Sequence, residues 1–486
     1  MGGVVRRARG RIRGAALVAV LILGVAGALS LTAHAQPNTV LLSAAPDGSE
    51  GAGPYFASPP SVSRDGAHVA FASAAANLVD GDDNGAVDVF VRDRGADGSW
   101  RTTLVSASPD GEAGNADSYS PSISADGSVV AFASEATNLD GGGGVGRPDV
   151  FLWHRGGRRV ARISRGLLGG LADGGSYSPA VSGDGSVVAF ASDAPNLVVG
   201  DLNGLTDVFV WRHDPVTGLV SLLRVLTRLL GEPKGNSYQP AVSAEGNVVA
   251  FASDAPNLVA GDDNDTIDVF AYDRSTGTTT LVSKGAGGKA ADGPSFSPAV
   301  SGKGERVAFV SMAADLGSAD AAQPNVYVYD RDAGAPILVS RGAGGEPADS
   351  SSFSPAISAD GRYVAFDSAA SNLAGGDGNG DEDVFVHDTA TGATTMVPTA
   401  GGKDEQAFCP GISPDGAYVA FALAPADYAS TQYYLHGPMF GDDPAGTRPV
   451  EQETSTTAGT TTTTEAPPTT SATTFTEPAV TETTGG

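Results

Sequence analysis

Four stretches of this 486-residue chain place aspartate and asparagine at the spacing Asp-x-Asn-x-x-x-Asp, a combination suited to binding a metal ion. Carboxylate and amide oxygens near glycine are the kind of ligands that calcium prefers. The sequence therefore predicts calcium sites of about millimolar affinity, as in other extracellular modules. The residues are Asp82, Asn84 and Asp88; Asp201, Asn203 and Asp207; Asp262, Asn264 and Asp268; and Asp377, Asn379 and Asp383.

A structural role for the same residues is the alternative. The spacing differs from that of an EF-hand, and two carboxylates leave most of a calcium shell to backbone and water. Asp149 also persists in a related stretch whose preceding loop has become GGGGVGRP. An aspartate that remains where the other ligands are gone is typical of a side chain that bonds its own loop. Both interpretations stay open, and no other cofactor is predicted.

These stretches belong to a unit that is repeated seven times. Each copy contains an S-P-A-V-like run, an Asp-Gly or similar turn, an apolar run such as VVAFAS, a DVFV run and a threonine-rich run, which predict four short strands. Seven such units predict an all-β, seven-bladed β-propeller of four-stranded blades. An apolar anchor marks the copies at Val62, Ile123, Val181, Val242, Val300, Ile357 and Ile412.

The count of fourth strands predicts how the ring closes. A fourth strand follows each of the first six blades and is missing after the seventh. One extra strand, TVLLS at residues 39–43, comes before the first blade. We expect this N-terminal strand to complete the last blade, because closure removes exposed strand edges.

The repeat resembles that of the TolB-type β-propellers. The family's core P-x-x-S-x-D-G-x-x-[VI]-A-F is matched in the third copy by Pro179, Ser182, Asp184, Gly185, Val188, Ala189 and Phe190. The resemblance covers residue 37 to about residue 436 and implies the propeller fold. TolB itself has six blades and an added N-terminal domain, so a role in a Tol-type envelope complex is not implied. The N-L-x-x-G-D-x-N-G-x-x-D-V-F-V insert looks like that of a subgroup of exported bacterial proteins.

Three segments are expected along the chain. Residues 1–35 resemble a signal peptide, with five arginines, an apolar run and the cleavage sequence Ala33-His34-Ala35; an uncleaved membrane anchor is the alternative. Arg6-Arg7 leaves Sec and twin-arginine export both open. Residues 36–440 form the propeller. Residues 441–486 form a disordered tail rich in threonine and proline, which is either O-glycosylated or a plain spacer. A secreted or surface-associated protein follows.

The charge restricts the class of partner. The chain has a formal charge of −27, and loss of the five leader arginines changes it to −32. Nucleic acid and anionic membranes bind cationic surfaces, so neither is expected as a partner, and no membrane insertion is expected after cleavage. A protein or glycan partner that is cationic or bridged by calcium fits better. A monomer is expected.

Catalytic signatures are missing from the sequence. It contains no G-x-S-x-G elbow, Walker loop, dinucleotide fingerprint or zinc spacing. His154, His213 and His387 fall in different blades, and Cys409 replaces a serine of the repeat. A blade with a catalytic site should carry acids that the other blades lack. Blades two and five differ from the other copies of the repeat, but by the loss of acids. An aromatic position before each first strand is interpreted as packing rather than ligand stacking: Tyr119, Tyr177, Tyr238, Phe296, Phe353 and Phe408.

The sequence thus predicts a secreted, non-enzymatic binding scaffold. In this strand order, the loops from second to third strand and from fourth strand to the next blade emerge together, and they are the long ones. Function is expected on that face, because a rigid scaffold presents function on its loops. The alternatives are an extracellular lyase or glycoside hydrolase with an unrecognised acidic site there, and a purely structural surface protein.

Overall fold

The computed structural model describes residues 38–439, apart from 55, 142–145, 226–231, 286, 318–322 and 400–404. Seven antiparallel sheets of four strands each form a β-propeller, which confirms the predicted fold class. The expected leader and tail lie outside the described residues. No helix in the described part is long and apolar enough to cross a membrane.

Each blade has its first strand at the central channel and its fourth strand at the rim. The first strands are β2 (Ser61–Val62), β6 (Ser118–Ile123), β10 (Ser176–Val181), β14 (Ser237–Val242), β18 (Ser295–Val300), β22 (Ser352–Ile357) and β26 (Glu405–Ile412). The second strands are β3 (His68–Ser73), β7 (Val129–Ser134), β11 (Val187–Ser192), β15 (Val248–Ser253), β19 (Arg306–Ser311), β23 (Tyr363–Ser368) and β27 (Val419–Pro425). The third strands are β4 (Asp88–Arg94), β8 (Asp149–His154), β12 (Asp207–His213), β16 (Asp268–Asp273), β20 (Asn325–Asp330), β24 (Asp383–Asp388) and β28 (Gln432–His436). The fourth strands are β5 (Trp100–Leu104), β9 (Arg159–Arg162), β13 (Val220–Arg224), β17 (Thr278–Leu281), β21 (Ala335–Leu338), β25 (Ala393–Met396) and, in blade seven, β1 (Thr39–Leu41).

The N-terminal strand closes the ring. β1 pairs antiparallel with β28, with Thr39 opposite His436 and Leu41 opposite Tyr434. Sheet seven therefore has the order β1-β28-β27-β26, and both ends of the propeller are held in one blade. This confirms the closure predicted from the count of fourth strands.

The second and third strands are apolar on both faces because neighbouring blades cover both. Val187, Ala189 and Val208 pack towards blade four, whereas Val188 and Phe190 pack towards blade two. The phenylalanines of the second and third strands also stack within most blades, with ring centroids 5.7 to 5.8 Å apart. Two single turns of 3-10 helix, Leu167–Gly169 and Ala314–Leu316, interrupt the loops.

The Asp-Gly hairpins are fixed by a side-chain network. In blade three, Asp184 Oδ1 accepts hydrogen bonds from the Ser182 hydroxyl at 2.6 Å and from the amide of Ser186 at 3.0 Å. Gly185 has φ +72°, a conformation that glycine adopts without steric cost. The sequence S-x-D-G thus closes a tight turn by local bonding.

The first strands line the channel and carry a bulge before their proline. Ser178 has φ +53°, and the strand shifts register between Tyr177 and Ala180. The same left-handed position recurs in blades two and four to seven, at Ser120, Gln239, Ser297, Ser354 and Cys409. The channel beside these residues has a volume of about 540 Å³ and is lined by serine, proline, alanine and valine.

Candidate functional site on the long-loop face

The two faces of the ring differ in their loops and in their charge. The long-loop face carries the loops from second to third strand and from fourth strand to the next blade; the hairpin face carries the Asp-Gly hairpins and the turns from third to fourth strand. Acidic and basic residues are nearly balanced on the hairpin face, where ion pairs such as Asp93–Arg155 (2.7 Å) and Arg362–Asp388 (2.8 Å) form. Most of the acidic excess of the described residues therefore lies on the long-loop face.

The aspartate at the start of the third strand anchors the insert in blades one and four. In blade one, Asp88 Oδ1 accepts a bond from the Ser106 hydroxyl and Oδ2 accepts one from Asn84 Nδ2. Asn84 also donates to the carbonyl of Gly114, and its Oδ1 accepts the amide of Ala86 at 2.8 Å. The counterparts Asn264, Asp268 and Ser283 bond in the same way in blade four. The asparagine thus holds the loop against the next inter-blade connection.

An arginine neutralises the acids of blade three. Arg224, at the end of β13, places Nη1 2.8 Å from Asp201 Oδ1 and 3.1 Å from Asp207 Oδ2. Its Nη2 lies 3.0 Å from Glu232 Oε1. Asn203 also donates to Asp207 Oδ2 at 3.0 Å. The guanidinium is buried, so its positive charge is what permits two carboxylates to be buried beside it.

In blade two, an arginine also lies between two aspartates, one of which is not an insert aspartate. Arg162, at the end of β9, lies 3.1 Å from Asp149 Oδ2 and 3.2 Å from Asp140 Oδ1. Arg165 pairs with the other oxygen of Asp140 at 2.9 Å. Asp149 therefore has a structural partner in the blade whose loop sequence departs most from the repeat.

Blade six has the acids without an arginine. Asp377 and Asp383 are both present, but Met396 stands on β25 opposite Phe385, where Arg224 stands opposite Phe209 in blade three. Asp377 Oδ1 and Asp383 Oδ2 are buried and have no hydrogen-bond partner in the described structure. Asn379 Oδ1 accepts the amide of Asp381 at 3.3 Å.

The insert aspartates have raised pKa values both with and without an arginine beside them. Burial raises the pKa of Asp88 to about 7, and the charges of Asp82 and Asp117 add to this effect. Burial likewise raises the pKa of Asp262 to about 6, with further contributions from Asp268 and Asp263. A bound cation or a proton would each relieve this concentration of negative charge.

The calcium interpretation of the four inserts stays a prediction. The described residues contain no group of three or more histidine, cysteine, aspartate or glutamate side chains that could hold a metal. Each insert brings two carboxylates together, and any remaining ligands would come from amide or backbone oxygens and water. The inserts are not equivalent, because arginine lies between the acids in blade three and asparagine bonds the acid in blades one and four.

Blade six also carries two acids that the other blades lack, in addition to the loss of acids in blades two and five. Asp367 takes the place of alanine or valine on β23, and its Oδ2 accepts the backbone amide of Cys409 at 2.7 Å. Burial raises the pKa of neighbouring Glu382 to about 7, and the charge of Asp367 adds to the shift. The sequence signal for Asp367 is the run AFDS, at a place where blades one to five have AFAS or AFVS.

The aromatic position is used for packing. Phe296 and Phe353 contact the apolar core between blades, and Phe408 is 6% exposed. Tyr177 is half-buried, and its hydroxyl lies 3.1 Å from Thr206 Oγ1.

Comparison with known proteins gives only distant structural similarity. No family model and no curated protein matches the sequence. Similar solved structures include a putative TolB from Agrobacterium tumefaciens, with 15% identity over 69% of this chain and 94% of that one and a TM-score of 0.38. The β-propeller domain of the Trilobed protease from Pyrococcus furiosus has 12% identity over 81% of this chain and 99% of that one, with a TM-score of 0.47. A puromycin-hydrolysing peptidase of Mycobacterium tuberculosis has 14% identity over 82% of this chain and 55% of that one, with a TM-score of 0.45. These values are too low to transfer a substrate or partner.

Proposed function

We propose that this protein is an exported, non-enzymatic binding scaffold, and that its long-loop face binds a protein or glycan that carries positive charge. The observation that supports this most directly is the unequal charge of the two faces. Arginines and aspartates of the hairpin face pair with one another, whereas the long-loop face keeps acids that no basic residue balances.

The imbalance is largest around blades five to seven. There the loops of the long-loop face contribute Glu346, Asp349, Asp381, Glu382 and Asp427, and Arg341 is the one basic residue among their described positions. Blades two and three differ, because Arg162 and Arg224 lie among their acids. A concentrated negative potential attracts cationic groups and speeds their association. We therefore place the binding surface over blades five to seven.

Binding is favoured over hydrolysis by the burial of Asp367, one of the two acids that distinguish blade six. A glycosidase needs two carboxyl groups that both reach the substrate. Asp367 is 2% exposed and already accepts the amide of Cys409, which leaves Glu382 as the accessible member. A lyase or hydrolase remains the second candidate class, and replacement of Glu382 by glutamine would abolish its activity.

The proposal is tested with two pairs of charge reversals that change the net charge equally. Glu50→Lys with Glu346→Lys alters exposed acids of the long-loop face, and Glu305→Lys with Asp332→Lys alters exposed acids of the hairpin face. The probes are an oligolysine peptide and a cationic glucosamine oligomer, measured by fluorescence anisotropy at ionic strengths of about 0.05 and 0.3 M.

The parent should bind at least one probe more weakly at the higher ionic strength. The long-loop variant should lose most of that binding, and the hairpin variant should behave like the parent. Equal losses in both variants would mean that net charge alone governs binding, which contradicts the proposed surface. Absence of binding to both probes would also contradict it.

A further inference from the structure

Blades three and six present the same two acids to the same position, and only blade three has a positive charge there. In blade three, Nη1 of Arg224 sits between Asp201 Oδ1 and Asp207 Oδ2, at 2.8 and 3.1 Å. The corresponding oxygens of blade six are Asp377 Oδ1 and Asp383 Oδ2, and these are the two that have no partner in the described structure.

The correspondence follows from strand register. Arg224 is opposite Phe209, two residues after Asp207, and Met396 is opposite Phe385, two residues after Asp383. Oδ2 is the oxygen that faces the cation or amide donor in every other blade with this aspartate: Asp88, Asp149, Asp207 and Asp268. Asp383 Oδ2 is thus directed towards the place that a guanidinium nitrogen takes in blade three.

A buried carboxylate oxygen without a partner is costly, and two of them side by side are more so. Asp383 is 5% exposed, so bulk water does not solvate its carboxylate fully. Methionine supplies no charge or donor to replace the arginine. A separate ligand with positive charge would satisfy both oxygens.

We propose that the blade-six insert binds one calcium ion between Asp377 and Asp383, at the position that the Arg224 side chain occupies in blade three. Two carboxylates balance the charge of one divalent ion, and hard oxygen ligands favour calcium over zinc. The loop is rich in glycine, and side chains added at Gly375, Gly378 or Gly380 would meet no atom within 4 Å. The remaining ligands of the ion would be backbone carbonyls of this loop and water.

Blades one and four are poorer candidates for a calcium site, because Oδ2 of their insert aspartate is already bonded. Asn84 and Asn264 donate to Oδ2 of Asp88 and Asp268, so the oxygen that would face an ion already has a partner. In blade six, by contrast, Asn379 contacts Asp383 and leaves its Oδ2 without a hydrogen bond in the described structure. The inference is independent of the proposed binding function, because it concerns one insert and requires no partner.

The test exchanges arginine and methionine between the two blades. Calcium is titrated into the parent by calorimetry, and the melting temperature is recorded in chelator and in about 5 mM calcium, well above the dissociation constants of extracellular calcium modules. The parent should bind one ion with a dissociation constant of about 0.1 to 1 mM. Its melting temperature should rise with calcium and not with magnesium.

Met396→Arg should abolish calcium binding, because the new guanidinium would occupy the site. Its melting temperature should no longer respond to calcium. Asp383→Asn should weaken binding at least tenfold. Glu346→Gln makes the same change in net charge as Met396→Arg at an exposed position of the same face, and should bind calcium like the parent. Arg224→Met should not create a second site of equal affinity, because Asn203 still donates to Asp207 Oδ2.

Three results would overturn the proposal. The first is a parent that shows neither heat nor a change in melting temperature at about 10 mM calcium, an upper limit for weak extracellular sites. The second is a Met396→Arg variant that binds calcium as well as the parent, since binding would then be diffuse over the acidic face. The third is a parent whose melting temperature does not respond to calcium and whose dependence on pH is changed by Asp383→Asn, which would assign a shared proton to the two aspartates.

Discussion

Thr39 Oγ1 lies 2.7 Å from Nδ1 of His436, although the two residues are 397 positions apart in the chain. Next to this contact, the Ser43 hydroxyl donates to Gln432 Oε1 at 2.6 Å and accepts the amide of Tyr433 at 2.9 Å. The seam of the ring is therefore held by buried side-chain hydrogen bonds as well as by the β1–β28 pairing. Ring closure depends on a short segment at one end of the propeller.

Deletion of residues 36–46 should lower the melting temperature by several degrees or more. It removes β1, exposes the edge of β28 and leaves the partners of Ser43 without a bond. Differential scanning calorimetry measures the change. Ser49→Ala, at an exposed serine just beyond the deleted segment, is the matched control and should melt near the parent. A deletion variant that melts like the parent would mean that β1 contributes little to closure.

His387 should make the protein less stable as pH falls. Burial lowers its pKa to about 4, the charge of Arg341 lowers it further, and Asp388 acts in the opposite direction. An unfolded histidine titrates near pH ~6.5, so between about pH 6.5 and 4 the unfolded chain binds a proton that the folded chain does not. His387→Phe should remove up to about 3 kcal/mol of this pH dependence.

Urea unfolding of the parent and of His387→Phe at several pH values tests the sign of this pH dependence. The stability of the parent relative to the variant should fall from about pH 7 to pH 4 and be constant above about pH 7.5. His387 Nδ1 lies 3.0 Å from Thr394 Oγ1, so the variant loses this bond at every pH, which shifts the difference without changing its slope. Parallel curves over the whole range would contradict the prediction.

Cys409 should react slowly with iodoacetamide in the folded protein. Burial raises the pKa of the thiol to about 12, and the charges of Asp367 and Glu382 raise it as well. The thiolate is the reactive form, so little of it exists at pH 8. Mass spectrometry should find labelling of the folded chain far slower than labelling in urea. Asp367→Asn removes one negative charge and should speed labelling; fast labelling of the folded parent would contradict the prediction.

Glu245→Asp, which shortens the side chain by one methylene group, should stabilise the hairpin of blade four. Asp184 accepts bonds from Ser182 and Ser186 in blade three, whereas the longer Glu245 forms no bond with Ser243 in the described structure. Glu245→Asp should raise the free energy of unfolding by about 0.5–1.5 kcal/mol, the usual range for an added hydrogen bond. Asp184→Glu should lower it by a similar amount. Equal stabilities for both variants and the parent would show that the turn does not depend on this bond.

The sequence by itself determined the architecture. Repeated S-x-D-G turns and apolar runs specify hairpins locally, because each turn is closed by residues within five positions of one another. The extra strand before blade one predicted the pairing of Thr39 with the last blade of the propeller, since an unpaired edge strand is unfavourable. The aromatic position packs as predicted at Phe296, Phe353 and Phe408.

Only the tertiary structure decided how the acids of the inserts differ. Their spacing is identical in blades one, three, four and six, and spacing cannot tell which carboxylate has a partner. That depends on the residue at the end of the fourth strand, 17 positions after the aspartate in blade three, where β-sheet register brings Arg224 to Asp207 and leaves Met396 near Asp383. The charge of a buried carboxylate is set by the groups that fold around it, because burial removes the water that would otherwise stabilise it.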